Sequence, residues 1–156
     1  MVTEQPGAFN VDYHLARFHR VSRRYGQAIH HHYQGLMERR RTLGPDHPDT
    51  LRSSTGLANS FYAAGYYDEA LALFRDTLER RSSALGPEHP DTLRSRGSLG
   101  NCCHAMGDYE TAAQLHRETL ALRERILGAD HPSTQASRAN LARAEQALAE
   151  EREDGS

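Results

Sequence analysis

Apolar residues recur along this chain at helical spacing. Over 67–84, Tyr67, Ala70, Leu71, Phe74 and Leu78 stand at i, i+3, i+4, i+7 and i+11, on one helical face. Gly86 and Pro87 end that pattern. The segment before it, 48–64, opens with Pro48, whose missing N–H costs nothing in a first turn. Asp46 and Asp49 lie at the positive end of the same helix dipole. Gly65 then supplies the left-handed residue that a helix end often takes. Read this way, the chain predicts seven helices, at 9–22, 26–42, 48–64, 67–84, 90–106, 109–126 and 132–150. No segment carries a strand signal.

The helices come in repeating pairs. LGPDHPDTL at 43–51, LGPEHPDTL at 85–93 and LGADHPSTQ at 127–135 each start 42 residues after the last. Without gaps, 43–84 and 85–126 agree at 21 of 42 positions. The frame extends back into 1–42, where Leu15, Tyr25, Ala28 and Leu36 take their places in the columns. The expected organisation is a tail at 1–8 and a repeat region at 9–150. The units are 1–42, 43–84, 85–126 and a capping half-unit at 127–150, before a tail at 151–156. One helix pair cannot bury its own apolar face, so neighbouring pairs must stack. Small residues in register (Ala16, Ala58, Gly100 and Ala142; Ala28, Ala70 and Ala112) permit the close approach. The recurrent Gly-Pro and His-Pro interruptions exclude one continuous coiled-coil rod.

Leu57-Ala58, Phe61, Gly65, Tyr67, Ala70 and Phe74 resemble the tetratricopeptide repeat (TPR). Leu99-Gly100, Gly107, Tyr109 and Ala112 repeat that signature. The 42-residue period and the LGP-D/E-HPDTL linker are similar to the longer kinesin-light-chain subtype, as found in bacterial TPR arrays of STAND-type regulators. The resemblance implies an all-α fold, a right-handed α-solenoid of antiparallel helix pairs with about three and a half units. It also implies a non-catalytic scaffold that binds proteins. The first unit departs from the pattern: Arg23 replaces glycine, and His19 and His32 replace Phe61 and Phe74.

Length and composition narrow the remaining classes. A chain of 156 residues favours one domain. A net charge of −2 disfavours a generic nucleic-acid partner. No apolar run approaches a membrane span, and the N-terminal sequence shows no basic-then-apolar signal segment, so a cytoplasmic protein without a membrane partner is expected. All 19 basic residues are arginine, and without lysine there is no GxxxxGK[ST] phosphate loop. Cys102 and Cys103 are adjacent and cannot bridge within a regular helix. No cofactor is expected.

Ten histidines invite a metal reading. His47, His89 and His131 lie one repeat apart, too far to converge on one ion, and belong to the linkers. His30, His31 and His32 project about 100° apart on a helix, two outward and one inward. His19 with His32, and Cys103 with His116, take the places of Phe61 with Phe74 between paired helices. Each pair offers two ligands, which is an incomplete zinc site. An enzyme or metal-dependent factor built on these residues is therefore the alternative function, and a pure oligomerisation scaffold is a second.

The resemblance places ligand contacts on a concave groove lined by the first helix of each unit. One column of those helices reads Arg17, Asn59, Asn101 and Arg143. Its neighbours contribute Tyr13 on one side and Arg20, Tyr62 and His104 on the other, with Arg52 and Arg94 in a third. Asparagine pairs with peptide backbone, and arginine forks onto carboxylates. No Asp or Glu stands in these columns, so the expected ligand is a peptide or an acidic segment of a partner protein. Residues 1–42 carry a net +4 and residues 127–156 a net −3, which makes self-association through the solenoid ends a further expectation.

Overall fold

The computed structural model describes residues 23–154, so the expected helix at 9–22 lies outside the described residues. With it go Tyr13, Arg17, His19 and Arg20. Six helices follow in order: α1 (Arg23–Leu43), α2 (Pro48–Ala63), α3 (Tyr67–Leu85), α4 (Pro90–Ala105), α5 (Tyr109–Leu127) and α6 (Pro132–Asp154). No strand occurs among the described residues. The chain divides into two compact units between Asp76 and Thr77, inside α3.

In the first unit α1 packs on α2. Ile29 and Leu36 from α1, Leu51, Leu57, Ala58 and Phe61 from α2, and Ala70, Leu73 and Phe74 from α3 are buried. Burying one such large side chain contributes about 1.5–3 kcal/mol. His30, His31 and His32 are all exposed, which corrects the inward placement of His32. The phase of α1 is set by Ile29 and Leu36. The His32 ring lies over Gly56, which has no side chain to enclose it. Ala28 is exposed too, unlike its repeat equivalents Ala70 and Ala112.

In the second unit α5 packs on both α4 and α6. Leu93, Leu99, Cys102 and Cys103 of α4, Ala112, Ala113 and His116 of α5 and Ala144 of α6 are buried. Neither thiol is in a disulfide.

Glycine decides where a first helix stops. Gly65 and Gly107 take φ of 81° and 82°. Just beyond them the N–H of Tyr66 donates to the Phe61 carbonyl, and that of Asp108 to the Cys103 carbonyl, each at 2.9 Å. This is the six-to-one bond that closes a helix once one residue turns left-handed. The next repeat position is Ala149, where that conformation is costly. Accordingly α6 does not turn, and it runs to Asp154. The tail expected at 151–156 is thus helical as far as Asp154.

The linker histidines cap helices. Nδ1 of His47, His89 and His131 accepts from the backbone N–H of Asp49, Asp91 and Ser133, each at 3.1 Å. An imidazole here does what Ser or Asp usually does at an N-cap. Within the second unit, arginines clasp successive repeats. Arg81 Nη1 donates to Ser95 Oγ at 2.6 Å, and Arg123 Nη1 to Ser137 Oγ at 2.7 Å and the Ser133 carbonyl at 3.0 Å. The equivalent Arg39 bonds Gly35 of its own helix instead. In the second unit Glu145 stands where Phe61 and Cys103 are buried in earlier repeats, and it pairs with Arg117 at 2.7 Å. A charged pair on that face suits a capping helix with one side in water.

Candidate functional site

The repeat column read from the sequence is a spatial column in the second unit. Arg143 Nη2 on α6 donates to Asn101 Oδ1 on α4 at 3.1 Å, across one repeat length. Asn101 is half-buried and Arg143 exposed. The hydrogen-bond partner of Arg143 among the described residues is therefore a neutral amide, which leaves the guanidinium charge uncompensated by any carboxylate bond.

His104 lies on α4 one turn beyond Asn101. Its ring meets Tyr109 edge-on, with centroids 5.1 Å apart. Nε2 of His104 is buried and has no partner among the described residues. The equivalent pair in the first unit is Tyr62 with Tyr67, 5.4 Å apart and tilted. In both units the ring at this column leans on the tyrosine that opens the next helix. Each side chain is thereby held in place, which lowers the entropy cost of contact with a ligand.

His116 lies buried behind this face, 1% exposed. It faces Gly100 so closely that a Cβ there would sit 2.8 Å from Cε1 and 2.9 Å from Nε2. Nε2 has no partner among the described residues. Burial first, then the charges of Arg143, His104 and Arg123, push the imidazole down to about 4, so it is neutral at physiological pH. His116 fills the core place that Phe74 takes one repeat earlier, as its repeat position implies. The action of Arg143 on it depends on the register of α6 on α4, which repeat position alone does not give.

The other expected site residues divide. Arg94 and Arg52 are exposed but pair with Asp91 at 2.8 Å and Asp49 at 2.7 Å, one turn back on their own helices. No Asp or Glu stands in the columns themselves, but the acids at the helix starts reach these two arginines from one turn away. Asn59 is exposed and Tyr62 half-buried, both on α2 of the first unit. The structure thus brings together Asn101, His104 and Arg143, while Arg52, Asn59 and Tyr62 belong to the other unit. No group of three or more His, Cys, Asp or Glu side chains placed to hold a metal ion occurs among the described residues. No helix among them is long and apolar enough to cross a membrane.

The tetratricopeptide repeat model matches residues 7–83, 56–125 and 99–153. Among solved structures the chain is similar to the nearly identical TPR-like repeats of a Podosopora anserina protein assigned as a kinesin light chain. That match has 30% identity and a TM-score of 0.76, and covers 97% of this chain and 72% of that one. A point variant of the same protein matches at 29% identity and the same TM-score, covering 97% and 71%. BtubC (BKLC) from P. vanneervenii shares the fold at 16% identity and a TM-score of 0.74, over 81% of this chain and 50% of that one. No curated protein matches the chain.

Proposed function

Because the chain belongs to the tetratricopeptide repeat family, whose repeats are in general protein-interaction modules, we propose that it binds an acidic peptide segment of a partner protein without catalysing a reaction. The observation that carries this reading is the Arg143–Asn101 pair: an exposed guanidinium bonded to a neutral amide on the face formed by α4 and α6. A carboxylate can replace the amide on the guanidinium and form the stronger, charge-assisted fork. Asn101 is then free to pair with peptide backbone. His104, braced by Tyr109, offers an aromatic edge beside them.

By repeat position, Asn59, Tyr62 and Arg52 on α2 and Tyr13, Arg17 and Arg20 belong to the same proposal, as does Arg94 on α4. Arg52 and Arg94 would have to exchange Asp49 and Asp91 for the ligand, so they contribute less. A role in bacterial regulation is the setting we propose, from the resemblance to regulator arrays. The self-association expected from charge asymmetry depends on residues 1–42, of which 1–22 lie outside the described residues.

Selection from a random peptide library tests the reading. Sequences enriched in Asp and Glu, and lost when Arg143→Gln replaces the wild type as bait, are expected. Enrichment of basic or uncharged apolar peptides, retained by that variant, contradicts it.

A further inference from the structure

We propose that capture of a carboxylate at Arg143 is coupled to uptake of one proton by the buried His116. The proposal rests on the reading of the α4–α6 face as an anion-binding face and adds a regulation to it. The geometry supplies three elements. His116 is enclosed, with its Nε2 lacking a partner among the described residues. Gly100 leaves room for the ring against α4, since any side chain there would collide with it. Arg143 stands on the exposed surface of α6, bonded to a neutral amide.

The charges acting on His116 come from α4, α5 and α6: Arg143 from α6, His104 from α4 and Arg123 from its own α5. Arg94 of α4 acts in turn on Arg123. All are cationic or become so on protonation, and together with burial they hold the imidazole neutral. Arg123 is committed to Ser137 and the Ser133 carbonyl, and Arg94 to Asp91. Arg143 is the cation of this set whose field an incoming anion can cancel, and it is the first of the charges acting on His116. When a carboxylate neutralises it, the midpoint of the imidazole rises, and below that bound midpoint the ring takes a proton from solvent and becomes imidazolium. The proton adds one positive charge behind the bound anion, so each event favours the other.

The sign follows. Binding raises the affinity of His116 for its proton, so the ligand gains affinity as pH falls through the bound midpoint towards the free midpoint of about 4. The gain runs down to the range of about 4.3 where the peptide's own carboxylates protonate. Burial persists in the complex and keeps the bound midpoint below the ordinary histidine value. A rise of about one unit in that midpoint corresponds to roughly twofold tighter binding at about pH 5.0.

Histidine-selective NMR at pH 5.0 with a blocked hexaglutamate peptide tests this directly. The imidazolium fraction of His116 is expected to rise from about a tenth in the free protein to about half at saturation, for a one-unit shift. In Arg143→Gln the free fraction is expected to be raised already and the peptide to change it no further. Saturable, Arg143-dependent binding with an unchanged His116 signal overturns the coupling and leaves the binding reading standing. Absence of binding, or binding that Arg143→Gln does not weaken, overturns both.

Discussion

At Gly100 a neighbour sets the sign of a glycine-to-alanine change. Alanine in a helix interior ordinarily stabilises by about 0.5–1 kcal/mol. Here the new Cβ would sit under 3 Å from the enclosed His116 ring, so Gly100→Ala should instead destabilise by about 1–3 kcal/mol. Adding His116→Phe recreates the Ala58–Phe74 combination of the preceding unit, and chemical denaturation should show recovery. If Gly100→Ala raises the denaturation midpoint, the contact is not rigid. His116 also makes stability depend on pH. Its folded midpoint is about 4 against about 6.5 when unfolded, so between these values the unfolded chain binds a proton that the folded chain refuses. Stability is therefore complete above pH 6.5 and falls as the pH drops to 4. The loss is on the order of 2 kcal/mol, below the full shift because the charges involved lie near solvent. His116→Phe should flatten that part of the profile, while a profile unchanged by the substitution would remove His116 from the account.

Helix ends explain what the sequence made legible. Pro48, Pro90 and Pro132 open helices at the expected residues. Proline has a single suitable place there, and it is visible in any sequence. The C-terminal ends rest on Gly65 and Gly107, and the missed extension of α6 follows from Ala149 at the third position. That difference was in the sequence but carries meaning only once the left-handed turn is known to be required. The imidazole caps and the arginine clasps were less legible. A histidine in a linker gives no sign of which nitrogen accepts, and Arg81 meets Ser95 only through the packing of one helix on another. Two outcomes are expected. His89→Ala should cost about 1 kcal/mol, the usual value of an N-cap, and His89→Asp should restore it in thermal melts. Ala112→Leu should cost about 1–3 kcal/mol, because Ala112 is fully buried where α5 is packed. Retention of wild-type stability by Ala112→Leu would mean that the small-residue column is not a close contact.

For the molecule as a whole, family and fold were readable from period and columns, whereas the binding face was readable only in part. The column containing Asn101 and Arg143 was evident because repeats place equivalent residues in register, and the 3.1 Å bond between them realises that register. Arg52 and Arg94 pair with Asp49 and Asp91 one turn back on their own helices, a contact that reading down the repeat columns does not display. The central claim is that an acidic segment binds through Asn101, His104 and Arg143. Fluorescence anisotropy of a labelled hexaglutamate peptide tests it most directly, titrated with wild type, Arg143→Gln and the Asn59→Ala, Asn101→Ala double variant at low and high salt. Exposed ion pairs are individually worth ~0–1 kcal/mol, so binding should be modest and should weaken as salt shortens the Debye length below about 8–10 Å. Both variants should bind less tightly while melting at the wild-type temperature. Affinity that is insensitive to salt and equal in all three proteins would contradict the account.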